Sequence, residues 1–257
     1  MSGPALEGRH AVVTGAAQGI GAAIARRLAS QGARLSLMGR RLDALRALAA
    51  ELPGAACIAV DVADEAAVQR AFAAARAAHG AIAILVNNAG QAESAPFGKT
   101  SLDLWQRMLD VNLTGTFLCT QQALPDMLGT GRGRIVNVAS TAGQRGYAYV
   151  AAYCAAKHGV VGLTRALALE VAKKGVTVNA VCPGYTDTEI LRTGIDRLVA
   201  GTGRSEAEAR AAFEQASPQG RVMQPGEVAD AVAFLCGDGA AAVTGQCLSV
   251  SGGEVMA

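Results

Sequence analysis

The sequence predicts one α/β domain over residues 1–257, a doubly wound, mainly parallel seven-stranded sheet with a short helical lid at about 185–224. Short β-rich runs alternate with longer alanine-rich runs of helical period, the order that gives a parallel sheet with right-handed crossovers. Several β-rich runs are apolar throughout rather than alternating, as strands covered on both faces are. The first of them leads straight into a glycine-rich turn and a helix, VVTGAAQGIGAAIARRLA.

In chain order, strands are expected at Ala11–Thr14, Arg34–Met38, Ala56–Val60, Ile82–Asn87, Arg134–Ala139, Thr177–Cys182 and Cys247–Val250. Helices are expected near 20–31, 41–51, 64–79, 101–128, 151–173 and 225–236. No internal repeat or linker divides them. The rhythm breaks at 185–224, where Pro218 and several glycines accompany two short helical patterns near 187–200 and 205–216. An insertion after a late strand suits a lid over a site.

Composition narrows the function classes. Apolar residues make up 51% of the chain and charged residues 17%, ample for one core and unlike a disordered chain. The net charge is +2 and no run of basic residues exceeds two, which argues against a nucleic-acid binder. No apolar stretch approaches the roughly 18 residues of a membrane span. The first apolar run, AVVTGA from Ala11, reads as structure rather than as a leader. The six cysteines stand singly among apolar residues, as buried hydrophobes do, so a reducing cytoplasm is the expected location. Cys154 and His158 share a helix face, but two residues make a poor zinc site and no metal is expected. GKTS at 98–101 lacks the earlier glycine of a phosphate-binding loop, since position 93 is Glu.

The turn after the first strand holds Gly15, Gly19 and Gly21. Glycines there let the backbone approach a pyrophosphate, and the helix that follows aims its first N–H groups at it. In such a fold the tip of the second strand meets the adenosine ribose. A carboxylate there selects NAD, whereas arginine suits a 2′-phosphate. The tip reads LSLMGRRLD, with Gly39 in the acid's place and Arg40 and Arg41 after it. NADP is therefore favoured, with NAD as the alternative.

Tyr153 and Lys157 stand four apart in YCAAK. On a helix their Cβ atoms lie roughly 6 Å apart on one face. A phenol titrates near pH ~10, and bringing it to neutrality needs about 4 kcal/mol of preference for the phenolate. A lysine and an oxidised nicotinamide would supply two positive charges toward that. Ser140 closes the strand RIVNVAS, 13 residues before Tyr153. LVNNAG and VNAVCPGY end two further strands in small polar residues, and Asn112 interrupts a helix as DVNLTG. Ligands of doubly wound sheets bind at the carboxyl ends of strands.

With these pieces in order, the sequence closely resembles the short-chain dehydrogenase/reductase family, a Rossmann-type fold. The matching motifs are TGAAQGIG (14–21), DVAD (61–64), NNAG (87–90), Asn112, Ser140, YCAAK (153–157) and PGYTDT (183–188), across nearly the whole chain. The resemblance implies a tetrad of Asn112, Ser140, Tyr153 and Lys157. By it, Tyr153 is the acid of reduction or the base of oxidation, and Ser140 bonds the substrate carbonyl. Lys157 lowers the tyrosine pKa and holds the nicotinamide ribose, and Asn112 anchors a water relay to the lysine. It also implies cofactor contacts at Gly15, Gln18, Gly19, Ile20, Gly21, Arg40, Arg41, Asp61, Val62, Asn88, Ala89, Gly90, Tyr153, Lys157, Pro183, Gly184, Thr186 and Thr188. A homotetramer follows from it as well.

The catalytic stretch looks most like ketoreductases of 3-oxoacyl and polyketide thioesters and like 3-hydroxyacyl-CoA dehydrogenases. Expected substrate contacts are Ser140, Gln144, Tyr153 and Tyr185. From 186 to 221 the lid carries five arginines against six acids, so it offers no basic face to a CoA phosphate. Arg132, Arg134 and Arg145 remain candidate phosphate contacts, and leucine at 169 argues against carrier-protein docking. The expected activity is hydride transfer between NADP(H) and a ketone or secondary alcohol, a 3-oxoacyl thioester or similar. The alternatives are an NAD-linked dehydrogenase of a small or sterol-like alcohol and a non-catalytic dinucleotide sensor.

Overall fold

In the computed structural model, which describes residues 5–256, seven strands form one sheet in the order β3-β2-β1-β4-β5-β6-β7. They are β1 (His10–Thr14), β2 (Arg34–Gly39), β3 (Ala56–Ala59), β4 (Ile84–Asn87), β5 (Gly133–Val138), β6 (Val176–Pro183) and β7 (Cys247–Val250). Every pairing is parallel, so the expected mainly parallel sheet is wholly parallel among the described residues.

The apolar strands divide their side chains between two layers. Ala11 and Val13 of β1 face one cluster with Ile24 and Leu28 of α1 (Gly19–Ser30), Leu45 of α2 (Leu42–Ala49) and Val232 of α9 (Pro225–Cys236). Val12 faces the other cluster with Phe72 of α3 (Glu65–His79), Met127 of α5 (Gly115–Thr130) and Val171 of α6 (Ala151–Val171). Burial on both faces is why these strands read as unbroken apolar runs. The strand order reverses between β1 and β4, which opens a crevice at their carboxyl ends.

The helix expected at 101–128 is interrupted. α4 (Leu102–Leu109) passes through a wide turn of i→i+5 type at Asp110–Thr114 before α5 begins. The Thr116 hydroxyl donates to the Asn112 carbonyl at 2.9 Å, satisfying a group that the wider turn displaces.

The lid consists of α7 (Glu189–Thr202) and α8 (Glu206–Glu214), the latter started by a reciprocal Ser205–Glu208 cap. Leu191, Ile195, Ala209 and Val222 form its own small core, with Tyr185, Leu198, Val199 and Phe213 packed against it. A bridge between Thr186 and Met223 ties its two ends together. Among the described residues no helix is long and apolar enough to cross a membrane.

Candidate active site

The turn after β1 leaves no room for side chains. Gly15 has φ +63°, and a Cβ there would lie 2.8 Å from the Ala89 Cα. At Gly21 a Cβ would lie 2.2 Å from the Gly15 carbonyl oxygen. Gln18 precedes α1, and among the described residues no side chain caps that helix start. Its first amides stay available to an anion. Ile20 is half-buried against the core, and Gly19 borders the Thr188 methyl, 3.2 Å from where its own Cβ would sit.

Thr14 and Asn88 lock this turn to β4. Asn88 donates through its side chain to the carbonyls of Thr14 (3.0 Å) and Gly15 (3.1 Å). The Thr14 hydroxyl accepts from the backbone N–H groups of Asn88 and Ala89, each at 3.0 Å. Gly90 follows at the mouth. Arg40 and Arg41 stand exposed at the tip of β2. Asp61 accepts from the Ala63 N–H at 3.0 Å and is exposed, while Val62 is buried beside Gly115.

Asn112, Ser140, Tyr153 and Lys157 converge at the carboxyl ends of β4, β5 and β6. Asn112 donates to the carbonyls of Gln91 (3.0 Å) and Met108 (2.9 Å) and accepts from the Gln91 N–H at 3.2 Å. Its Oδ1 and the Lys157 Nζ both border Gly90, 2.8 and 3.6 Å from where a Cβ would stand. Ser140 caps a 3₁₀ turn (Thr141–Gly143), accepting from the Ala142 N–H at 3.1 Å, and its hydroxyl lies on the Tyr153 side of the crevice, where it favours the phenolate. Lys157 is 4% exposed, donates to the Val138 carbonyl at 2.9 Å, and lies 5.7 Å from the Tyr153 ring centroid.

Burial lowers Lys157 to about 8. Burial likewise pushes Tyr153 up to about 12, against the opposing influence of the Ser140 hydroxyl. The chain's own groups therefore keep the phenol protonated. The depression of Tyr153 expected from Lys157 is outweighed here by burial.

Beneath the tetrad runs a polar chain that the sequence did not announce. Asn87 donates to Thr120 and to Asn137, and Asn137 donates to Thr164, each at 2.9 Å. It pins β4 and β5 to α5 and α6, which carry Asn112's neighbours and the Tyr153–Lys157 pair.

On the substrate side, Tyr185 packs edge-on against Phe213 (4.9 Å) and Tyr147 (6.3 Å). Pro183 and Gly184 close β6, Thr186 donates to the Gly184 carbonyl at 3.0 Å, and Thr188 precedes α7. Gln144 turns instead to β7, accepting from Ser249 at 2.9 Å and donating to the Cys247 carbonyl at 3.5 Å. Tyr149 holds φ +68° and its carbonyl accepts from the Ala95 N–H at 2.8 Å, joining two walls of the mouth.

Arg132 and Arg134 lie elsewhere. Arg134 pairs with Ile84 and Thr177, at the amino ends of β4 and β6. There Arg9, Arg132 and Arg134 surround Asp238, beside a cavity of about 610 Å³. This cluster is at the opposite end of the sheet from the tetrad, so these arginines do not reach a substrate there. Arg145 does stay near the mouth, 4.9 Å above the Tyr147 ring. His158 donates from Nδ1 to the Cys154 carbonyl at 2.9 Å, within its own helix.

The residues present fit a nicotinamide dinucleotide. A cradle that any Cβ would fill adjoins free helix amides and leads to the buried Lys157, 5.7 Å from the Tyr153 ring centroid. The comparisons agree. The short chain dehydrogenase family model matches residues 9–198. A putative ketoacyl reductase of Streptomyces coelicolor is 43% identical over 249 residues, covering 95% of each chain. Cis-4-hydroxycyclohexanecarboxylate dehydrogenase of Sinomonas cyclohexanicum is 43% identical over 255 residues, covering 98% of each. The crystal structure of a variant actinorhodin polyketide ketoreductase with NADPH superposes with a TM-score of 0.93 at 42% identity, covering 96% of this chain and 97% of that one. A glycine cradle, a Ser–Tyr–Lys convergence and a family model that spans most of the fold describe one thing: the chain belongs to the short-chain dehydrogenase family and is an NAD(P)-dependent oxidoreductase.

Proposed function

We propose that this chain uses NADPH to reduce a ketone to a secondary alcohol, and that Asn112, Ser140, Tyr153 and Lys157 carry the reaction. The observation that supports it most is the buried Lys157, anchored on the Val138 carbonyl at 2.9 Å and 5.7 Å from the Tyr153 ring centroid, next to the glycine cradle. A bound nicotinamide would supply the hydride. Ser140 and Tyr153 polarise the carbonyl, and Tyr153 gives its proton to the developing alkoxide. Lys157 stabilises the phenolate left behind, and Asn112 anchors a water chain that returns a proton. Gly15, Gln18, Gly19, Ile20 and Gly21 hold the pyrophosphate and Arg40 with Arg41 the 2′-phosphate. Asp61 and Val62 flank the adenine. Asn88, Ala89, Gly90, Pro183, Gly184, Thr186 and Thr188 line the nicotinamide half.

The substrate is a medium-sized ketone of the 3-oxoacyl type, free or as a thioester. The ketoreductase names of the relatives support this class. Leu169, 84% exposed where a carrier-docking face would need a base, argues against a carrier protein as its vehicle. The chain assembles as a homotetramer, a reading supported by exposed Leu102, Phe117 and Leu169 on α4, α5 and α6 and exposed Phe234 and Leu248 on α9 and β7. Its six free cysteines suit the cytoplasm.

Tyr153→Phe is the decisive variant. Turnover should fall by about 10³-fold or more while NADPH still quenches or shifts fluorescence on binding, because only the proton donor is lost. Persistent turnover would remove Tyr153 from its role. Acetoacetyl-CoA reduction with NADPH and NADH side by side tests substrate and cofactor together.

A further inference from the structure

The mouth of the crevice holds a carboxylate that the tetrad does not use. Glu254 lies in the tail after β7, where its N–H donates to the Ser251 carbonyl at 3.2 Å and fixes a turn. Its side chain folds back between the Pro183–Gly184 turn and the loop after Ser140. Tyr147 donates its phenolic proton to Glu254 Oε1 at 2.6 Å. The same phenol oxygen lies 2.8 Å from the hydroxyl of Thr141, the residue next to Ser140. Burial and the bond to Glu254 raise the Tyr147 phenol well above its ordinary value, so it remains a donor. One carboxylate oxygen is thereby fixed and occupied.

The other oxygen, Oε2, stands 2.8 Å from the point where a Cβ on Gly184 would sit. It therefore borders the backbone at the carboxyl end of β6, beneath the aromatic wall of Tyr147, Tyr185 and Phe213. An ionised carboxylate only accepts hydrogen bonds, so this oxygen calls for a donor. An anionic group at this point would be repelled. A cationic one would stand close to Arg145, whose guanidinium already lies over the Tyr147 ring. A neutral hydroxyl meets neither objection.

We propose that Glu254 is a specificity-determining residue whose Oε2 accepts a hydroxyl proton from the substrate, and that Tyr147 is the positioning residue that holds it. The preferred substrates are then ketones that carry a second oxygen function as a hydroxyl near the reacting carbonyl, and the corresponding diols. The inference rests on the oxidoreductase reading above and replaces the 3-oxoacyl substrate proposed there, whose second oxygen is a carbonyl with no proton to give.

The test compares kcat/KM for NADP-linked oxidation of cyclohexane-1,2-diol and cyclohexanol by the parent protein, Glu254→Gln, Glu254→Ala and Tyr147→Phe. The expected diol preference of the parent is roughly 10- to 100-fold, the size of one hydrogen bond to a charged group. It should fall close to parity in Glu254→Ala and to intermediate values in Glu254→Gln and Tyr147→Phe. Glu254→Gln, nearly isosteric, guards against a folding defect in the alanine variant. A parent without diol preference, or a preference unmoved by Glu254→Ala, overturns the inference and leaves the oxidoreductase reading intact. Turnover of neither alcohol, in protein that reduces acetoacetyl-CoA with NADPH, overturns the inference alone.

Discussion

Burial opposes ionisation at both members of the Tyr153–Lys157 pair. For Lys157 the consequence has a definite sign. Its folded value, about 8, lies below the ordinary 10.5, so between those pH values the unfolded chain binds more protons than the native one. Stability contributed by this group is therefore poorest below pH ~8 and recovers as pH rises toward ~10.5. Lys157→Met should gain on the parent in urea midpoint at pH 7 and lose most of that advantage by pH 10. An equal gap at both pH values would show that the amine is not desolvated. Gly39 allows a second substitution. A Cβ there would meet only Leu45, at 3.7 Å, an ordinary contact. Gly39→Asp should thus place a carboxylate at the ribose and lower the NADPH-to-NADH ratio of kcat/KM by about 10- to 100-fold, since the acid bonds ribose hydroxyls and repels a 2′-phosphate.

The elements that the sequence made legible are those whose signal is local. The strand–glycine–helix turn joins consecutive elements and the four-residue spacing of Tyr153 and Lys157 lies within one helix, and both appear where the local sequence put them. The interruption at Asn112 was legible in DVNLTG, but the width of its turn was not, because one extra residue in a helix barely disturbs its apolar stripe. Gln144 faces β7 through a loop whose rotation no periodicity reports. Glu254 and Tyr147 are 107 residues apart, and Arg132 and Asp238 are 106 apart, so only the folded chain joins them. Two glycines show how context decides at this scale. Gly21→Ala collides with the Gly15 carbonyl and should weaken NADPH binding by about 10- to 100-fold in a fluorescence titration. Gly162, in the middle of α6, has open space where a Cβ would stand. In a monomer, Gly162→Ala would stabilise the helix by about 0.5–1 kcal/mol.

Across the whole molecule, that open space adjoins a larger pattern. α4, α5 and α6 leave Leu102 79% exposed and Leu169 84% exposed, together with Phe117. Such residues on neighbouring helices suit burial against a second copy. Light scattering during gel filtration should give four copies for the parent, and Leu102→Glu with Leu169→Glu should halve that number. A parent that runs as a monomer would end the tetramer proposal. If α6 is such an interface, Gly162→Ala should loosen assembly rather than stabilise the helix.

The contact between Thr188 and the Gly19 turn reaches beyond architecture. Thr188 opens the lid, and its methyl lies 3.2 Å from the position a Cβ on Gly19 would take. The wall that receives the substrate is thus seated on the floor that receives the dinucleotide. Reactants are then expected to enter in order, dinucleotide before ketone, with the alcohol leaving before NADP+. Product inhibition should follow that order: NADP+ competes with NADPH, whereas the alcohol product inhibits noncompetitively against NADPH.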